Sequence, residues 1–334
     1  MKDAKYNIAL LWTQYMLILY IMIFPDWKKS LLFIYMGRIS ENLVKKLHDR
    51  GARFFGGYWL TYLCVAKKHN ICTRIIGRLL NELIRPLLYV WIRLKGAKNI
   101  HAYGYENIFG AITCLEAGVS FSVLEEGISV YEARDLAEKF FRELKSCYAM
   151  PDKYLPGGWS DAVEEVICTG RKAIPKGLEN KIKIYNLREL WSHMDEDRKH
   201  DLFYLFDVQP QKWINIVNQG RDILFLTQNF SPFHMSEKKE IEMYRELMSA
   251  YDYKRILIKV HPADGKNYEK IFPECMVIKD ELPIELMWMI GIPFKKIIGI
   301  NSTALYGLWP ENMVDDRTDL LQKYTRPELL DIGI

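Results

Sequence analysis

The sequence predicts an α/β protein made of two doubly wound domains, each a parallel sheet covered by helices on both faces. Three observations carry this. At 334 residues the chain exceeds what one hydrophobic core usually serves. From Asp222 onward, short apolar runs alternate with amphipathic stretches, the rhythm of strands joined by crossover helices. A composition of 49% hydrophobic and 26% charged residues, without repeats or low-complexity tracts, excludes a disordered or fibrous chain.

The apolar run Ile8 to Phe24 opens the first domain. It is 17 residues long, broken by Thr13 and Gln14 and preceded by Lys2 and Lys5. A membrane-spanning helix wants about 20 apolar residues, and no small-residue cleavage site of a signal peptide follows. The run therefore reads as a buried strand, Asn7 to Trp12, leading into a buried helix, with a membrane anchor as the alternative. Ser40 to His48 predicts an amphipathic helix capped near Ser40 or Glu41. Helical periodicity returns from Ile71 to Ile84 until Pro86 breaks it, and the run LLYVWIRL after it predicts a strand. Val119 to Glu132 reads as a strand ending in an acidic turn, with a helix, ARDLAEKFFRELK, behind it. Short strands follow at Glu165 to Cys168 and Lys181 to Tyr185, separated from that helix by a Pro/Gly-rich loop, Pro151 to Trp159. In the second domain DILFLTQ, RILIKV, CMVIK and KIIGI predict strands. SEKKEIEMYRELMSAY predicts a helix capped by Ser236, PIELMWMIG a short helix, and STALYGLW the start of another. The boundaries implied are 1–211, 212–312 and a tail, 313–334, returning toward the first domain.

Charge and cysteines narrow the function classes. The net charge is +4, but residues 1–100 hold 17 Lys and Arg against 5 Asp and Glu, a balance of +12 that leaves −8 for the remainder. A basic amino-terminal region suits an anionic partner, such as a membrane surface. Nucleic acid is disfavoured, because its basic and aromatic residues lie in apolar, helical surroundings rather than interleaved along a groove. The six cysteines are scattered without a CxxC pair, which argues against a zinc ribbon or disulfide framework and suits a reducing compartment.

Parallel sheets bind ligands outside the carboxyl ends of their strands, and three predicted strands end in polar groups. Glu125-Glu126-Gly127 offers two carboxylates for proton transfer beside a residue that permits close backbone approach. Lys259 and His261 project to one face of their strand, Val260 to the other, and Pro262 fixes the turn. Lys259 and His261 together suit an anionic leaving group. Asn301-Ser302-Thr303 places hydroxyls where a helix is expected to begin, and a helix N-terminus is a phosphate site. Each also has a bland explanation, an acidic turn, a loop-closing histidine or plain N-capping.

Taken in this order, the acidic pair, the Lys-x-His-Pro and the Ser-Thr pair resemble the motifs of bacterial sialyltransferases. The sequence is most similar to the lipooligosaccharide and capsule enzymes of glycosyltransferase family 52. The resemblance is strongest from Ile223 to Leu305. It differs at Ala263, where arginine is common, with Asp264 following, and an amino-terminal Thr-Pro-x-Gln signature is represented only by Thr13-Gln14. The resemblance implies a GT-B architecture, two Rossmann-type domains facing across a cleft, and transfer of sialic acid from CMP-sialic acid with inversion to a sugar hydroxyl, terminal galactose being expected. It implies Glu125 as general base with support from Glu126 and Gly127, and His261 as the group meeting the CMP phosphate. It further implies Ser302 and Thr303 on that phosphate, and Lys259, Pro262, Glu285 and Asn301 around the nucleotide. It implies no cofactor and no metal. The expected location is cytoplasmic, peripheral to the inner face of a bacterial membrane, and a homodimer is compatible with the sequence.

Other readings are weaker. Asp195-Glu196-Asp197 fits a metal-binding DxD pattern, but its charge-dense setting after a helix reads as a solvated turn, as Asp315-Asp316 reads as tail. His193, His200 and His234 form no recognisable ligand set, and neither a GxSxG elbow nor a Walker loop occurs. The alternatives kept open are the same fold with a UDP-sugar or another CMP-nonulosonate donor, and a non-catalytic membrane-associated nucleotide-binding partner.

Overall fold

A computed structural model describes residues 4–34, 40–56, 85–104, 109–127, 129–131, 157–230, 235–261, 264–278 and 282–325, with isolated positions between 134 and 155. The chain forms two compact units that divide between Leu205 and Phe206, slightly before the expected boundary at 211.

The first unit contains seven strands, β1 (Tyr6–Leu11), β2 (Leu31–Ile34), β3 (Arg53–Gly56), β4 (Ile100–Gly104), β5 (Ser120–Leu124), β6 (Val163–Cys168) and β7 (Ile182–Ile184). They lie in the order β3-β2-β1-β4-β5-β6-β7, with every pairing parallel. The strand order reverses between β1 and β4, the switch point of a doubly wound sheet. The apolar run at the start is β1 followed by the Gln14–Ile23 helix, as expected. Thr13 caps that helix by accepting the Met16 N–H at 3.2 Å. Tyr15 to Met22 are all buried, so the segment is apolar on every side because it is core. Among the described residues no helix is long and apolar enough to cross a membrane. The predicted helix after Ser40 spans Glu41–Asp49, with the Ser40 hydroxyl accepting the Leu43 N–H.

The second unit contains β8 (Ile223–Leu226), β9 (Ile256–Lys259), β10 (Met276–Ile278), β11 (Lys296–Gly299) and β12 (Val314–Asp316), in the order β10-β9-β8-β11-β12. All pairings are again parallel, and the order reverses between β8 and β11. The Glu237–Met248 helix begins at Ser236, whose hydroxyl accepts the Lys239 N–H. Its Met243, Tyr244, Leu247 and Met248 fill the core with Phe225, Ile256, Ile258 and Ile298.

Three expectations are corrected. The run after Pro86 is helical over residues 85–95, and the buried pair Leu88 and Ile92, four residues apart, marks its packing face. STALYGLW does not open an α-helix: one 3-10 turn, Thr303–Leu305, gives way to irregular chain up to Pro310. Within the expected tail, the described residues 313–325 belong to the second unit. Val314–Asp316 pairs with β11, and the Asp319–Tyr324 helix is tied to the Glu237–Met248 helix through Glu246, which takes the Tyr324 hydroxyl and the Lys323 ammonium, each at 2.6 Å. The predicted helix at 71–84, most of that after Glu132 and most of the Pro151–Trp159 loop lie outside the described residues.

Candidate active site

The polar triplet Glu125-Glu126-Gly127 follows directly on the carboxyl end of β5. Glu125 has no solvent exposure. Its Oε1 accepts from the Tyr15 hydroxyl at 3.1 Å, and its Oε2 from the Tyr131 hydroxyl at 3.0 Å and the Thr169 N–H at 2.5 Å. The Thr169 hydroxyl reaches both oxygens, at 3.0 and 2.9 Å. The buried Arg171 guanidinium, 3.6 Å from Oε1, stacks over the Tyr15 ring at 4.4 Å. Thr169 and Arg171 come from the chain just past β6, Tyr131 from the 3-10 turn after the triplet, and Tyr15 from the first turn of the helix after β1. Burial and the adjacent Glu125 charge both push the Tyr131 hydroxyl well above the usual tyrosine range, so it remains a donor. Glu125 is thereby the hub of a buried network in which both of its carboxylate oxygens accept hydrogen bonds. Glu126, the next residue, is partly exposed at the same strand end. Gly127 has an ordinary backbone angle and open space where a Cβ would stand.

In the second unit the carboxyl edge gathers most of the remaining predicted residues. Lys259 ends β9, and the His261 N–H donates to the Thr227 hydroxyl at 2.9 Å, so the histidine is pinned to the strand end of the neighbouring β8. The Asp264 N–H returns to the His261 carbonyl at 2.8 Å. The Asp264 side chain is buried and holds this turn from below, accepting from the Tyr268 hydroxyl at 2.6 Å and the Lys266 ammonium at 3.0 Å. Lys266 also reaches the buried Glu240 carboxylate at 2.7 Å. Burial raises the Glu240 pKa, outweighing the pull of Lys266, and the charge on Asp264 adds to the rise. For Lys266 burial opposes the charge, but hydrogen bonds to Glu240 and Asp264 prevail and its pKa is raised.

Asn301 and Ser302 lie just past β11, beside β8, at the switch point of the second sheet. Asn301 adopts a left-handed conformation, φ 49°, which asparagine tolerates better than most residues. Its N–H donates to the Thr318 hydroxyl at 2.8 Å and its carbonyl accepts from Gln228 Nε2 at 2.9 Å, across the switch point. Thr318 is fixed in turn by Asp316, which accepts its N–H and hydroxyl as well as the Tyr306 hydroxyl. Ser302 is 8% exposed. The helix dipole expected at Ser302 and Thr303 is absent, since three residues in a 3-10 turn do not build one. Glu285 stands buried in the first turn of the Ile284–Met289 helix, past β10 on this same edge. Pro262 lies outside the described residues.

The rejected metal motifs have other roles. Asp195 caps the Glu196–Leu205 helix, accepting the Arg198 N–H at 2.8 Å and its guanidinium at 2.5 Å. Among the described residues no group of three or more His, Cys, Asp or Glu side chains gathers as a metal site would require. A concavity of about 520 Å³ beside the edge strand β10, lined by Trp213 and Cys275, contains none of the predicted site residues. Sequence reading missed Tyr15, Tyr131, Thr169 and Arg171 around Glu125, and Thr227, Gln228, Asp264 and Thr318 around the second edge. All but Thr318, which falls in the expected tail, share one signal, polarity within a few residues of a predicted strand end or helix start.

A family model described as glycosyltransferase family 52 matches residues 29–314. The chain belongs to glycosyltransferase family 52. An uncharacterised protein of Haemophilus influenzae is 25% identical over 214 residues, covering 64% of this chain and 66% of that protein. The chain thus spans just under two thirds of the length of that curated relative. Among solved structures, an α/β-galactoside α-2,3-sialyltransferase from Photobacterium phosphoreum aligns with a TM-score of 0.59 at 13% identity, covering 95% of this chain and 90% of that one. A 2,6-sialyltransferase of Photobacterium sp. JT-ISH-224, in complex with CMP and lactose, gives 0.59 at 11% identity, covering 93% and 71%. The GT-B domain of a Photobacterium damselae sialyltransferase gives 0.52 at 11%, covering 97% and 96%. These likenesses establish the fold: this family 52 chain is a GT-B-like double Rossmann protein.

Proposed function

We propose that this family 52 glycosyltransferase is an inverting sialyltransferase that moves sialic acid from CMP-sialic acid to a sugar hydroxyl, terminal galactose being the expected acceptor, on a bacterial lipooligosaccharide or capsular glycan. The observation that carries the reading is the second unit's carboxyl edge, where Asn301 and Ser302 occupy the switch point and His261 is tied one strand away through Thr227. An imidazole and an ammonium (Lys259) there suit the phosphate of a departing CMP. The anomeric carbon of sialic acid is fully substituted, so an oxocarbenium-like transition state forms readily once that phosphate's growing charge is stabilised. Ser302 and Thr303 would hold the phosphate in place of the missing helix end, the locked Asn301 backbone fixing the turn that presents them, with Pro262 and Glu285 toward the nucleoside.

Glu126 takes the role of general base that the sequence reading gave to Glu125. Every oxygen of Glu125 already receives protein donors and the group is shut from solvent, whereas Glu126 is accessible at the same strand end. Glu125 then acts as a positioning residue that fixes the backbone carrying Glu126, and Gly127 leaves room for the acceptor. The His261 imidazole and the Lys259 ammonium can supply the electrophilic work without a metal.

Calorimetry with CMP, UDP and GDP in EDTA, on the wild type and on His261→Ala and Ser302→Ala, tests the donor. Selective CMP binding, weakened in both variants, is expected. Preference for UDP, or dependence on a divalent cation, would replace the donor. Absence of nucleotide binding would favour a non-catalytic partner.

A further inference from the structure

We propose that the helix over residues 85–95 is an interfacial anchor that lays the protein on an anionic lipid bilayer. Among the described residues five large hydrophobic side chains are exposed, and three of them, Leu87 (69%), Val90 (53%) and Leu94 (80%), are on this one helix. At 3.6 residues per turn they fall within an arc of about 60°. The opposite face is the packing face: Leu88 and Ile92 are buried. Trp91, beside the exposed stripe, meets the Tyr6 ring edge-on at 6.4 Å. The outward stripe is therefore additional to what the fold needs.

Charge identifies the occupant. Residues 85–100 hold Arg85, Arg93, Lys95 and Lys98 and no carboxylate. Arg85 pairs with Glu116. Arg93 and Lys95 flank the stripe, about 90–110° to either side of its centre. Lys95 is held 5.2 Å over the Tyr6 ring, and Lys98 is exposed in the turn that follows. An apolar ridge bordered by cations, with a tryptophan at its margin, is the pattern of a helix lying in the plane of an anionic headgroup layer. A second copy is disfavoured as the occupant, because a two-fold contact through this helix would bring the same cations together. The helix leads through the Ala97–Asn99 turn into the amino end of β4 and packs on Tyr6 at the amino end of β1. Docking by it leaves the carboxyl edge, with Glu126, open at the other end of the sheet.

Vesicle co-sedimentation of the full chain tests this without any sugar donor, so its outcome is independent of the proposed transfer reaction. Phosphatidylcholine vesicles with about 30% phosphatidylglycerol are expected to bind the wild type far better than phosphatidylcholine alone. The triple change Leu87→Gln, Val90→Gln, Leu94→Gln should weaken that binding at least about tenfold, and Leu94→Gln alone should weaken it measurably. The change Arg93→Ala, Lys95→Ala, Lys98→Ala should abolish the preference for anionic vesicles, as should about 0.5 M salt. Melting curves report that the variants remain folded. No binding by the wild type, or equal binding by wild type and the apolar triple variant, overturns the proposal. So does an apolar triple variant that changes the oligomeric state while its vesicle binding is unaltered.

Discussion

Exchanging the two adjacent glutamates separates positioning from proton transfer. In Glu125→Ala the Tyr131 and Tyr15 hydroxyls, the Thr169 N–H and hydroxyl and the Arg171 guanidinium all lose an acceptor inside the protein. A buried donor stripped of its partner costs about 1–3 kcal/mol, and a buried charge stripped of its counter-ion about 3–5 kcal/mol. These losses overlap, because Tyr15 also touches the Thr169 hydroxyl and the Tyr131 oxygen also accepts the Arg171 N–H. A total of roughly 4–6 kcal/mol is expected, a large fraction of a domain's stability. Glu126, partly exposed, should behave oppositely: Glu126→Gln should leave stability within about 0.5 kcal/mol but lower transfer about 10²- to 10⁴-fold, the usual worth of a general base. Urea unfolding followed by tyrosine and tryptophan fluorescence, run beside a transfer assay, reads both quantities. A Glu125→Gln protein of wild-type stability without activity, together with an active Glu126→Gln protein, would refute the assignment and return the base to Glu125.

Three further outcomes are expected. Asp264→Asn should lower stability by about 2–4 kcal/mol, since Lys266 loses one of its two carboxylates, and should weaken nucleotide binding roughly tenfold by loosening the turn that presents His261; calorimetry showing wild-type affinity would contradict this. Burial, first, holds the Tyr131, Tyr244 and Tyr268 hydroxyls well above the usual tyrosine range, and nearby carboxylates add to it. The unfolded chain ionises near pH 10 and then binds fewer protons than the folded one, so stability present below about pH 10 is lost as pH rises, by up to about 1.4 kcal/mol per pH unit per tyrosine. Urea midpoints between pH 9 and 11 should show this fall, and Tyr268→Phe should make it shallower; an unchanged slope would count against it. Gly127→Ala should fold normally, with open space at its Cβ, yet raise the acceptor KM; an unaltered KM would show that nothing approaches the backbone there.

Much of the architecture was legible because its signals are local. Alternating apolar runs and capped helices after Asp222 marked β8 to β11, and the interruption at Thr13-Gln14 marked where β1 gives way to its helix. Where reading failed, context decided. The apolar residues after Pro86 suggested a strand because the stripe Leu87, Val90, Leu94 and the packing face Leu88, Ile92 together erase the helical contrast. Val314–Asp316 was too short and too acidic to announce a strand, and it forms one only because β11 offers an open edge. In the candidate site the strand-end residues were visible, but their order of importance was not. Glu125 and Glu126 are indistinguishable in sequence, and only the convergence of Tyr15, Tyr131, Thr169 and Arg171 from distant segments reveals which of them is enclosed. Asp264 entered the sequence reading as a departure from a family pattern and emerges as the support of the His261 turn.

The most direct test of the central claim is a transfer assay in EDTA with CMP-sialic acid and UDP-sugars offered in parallel to a galactose-terminated acceptor, with the anomeric configuration of the product read by NMR. The account predicts release of one CMP per sialic acid transferred, with inversion at the anomeric carbon and loss of turnover in Glu126→Gln and His261→Ala. Transfer from a UDP-sugar with CMP-sialic acid left intact, or retention of configuration, would contradict it.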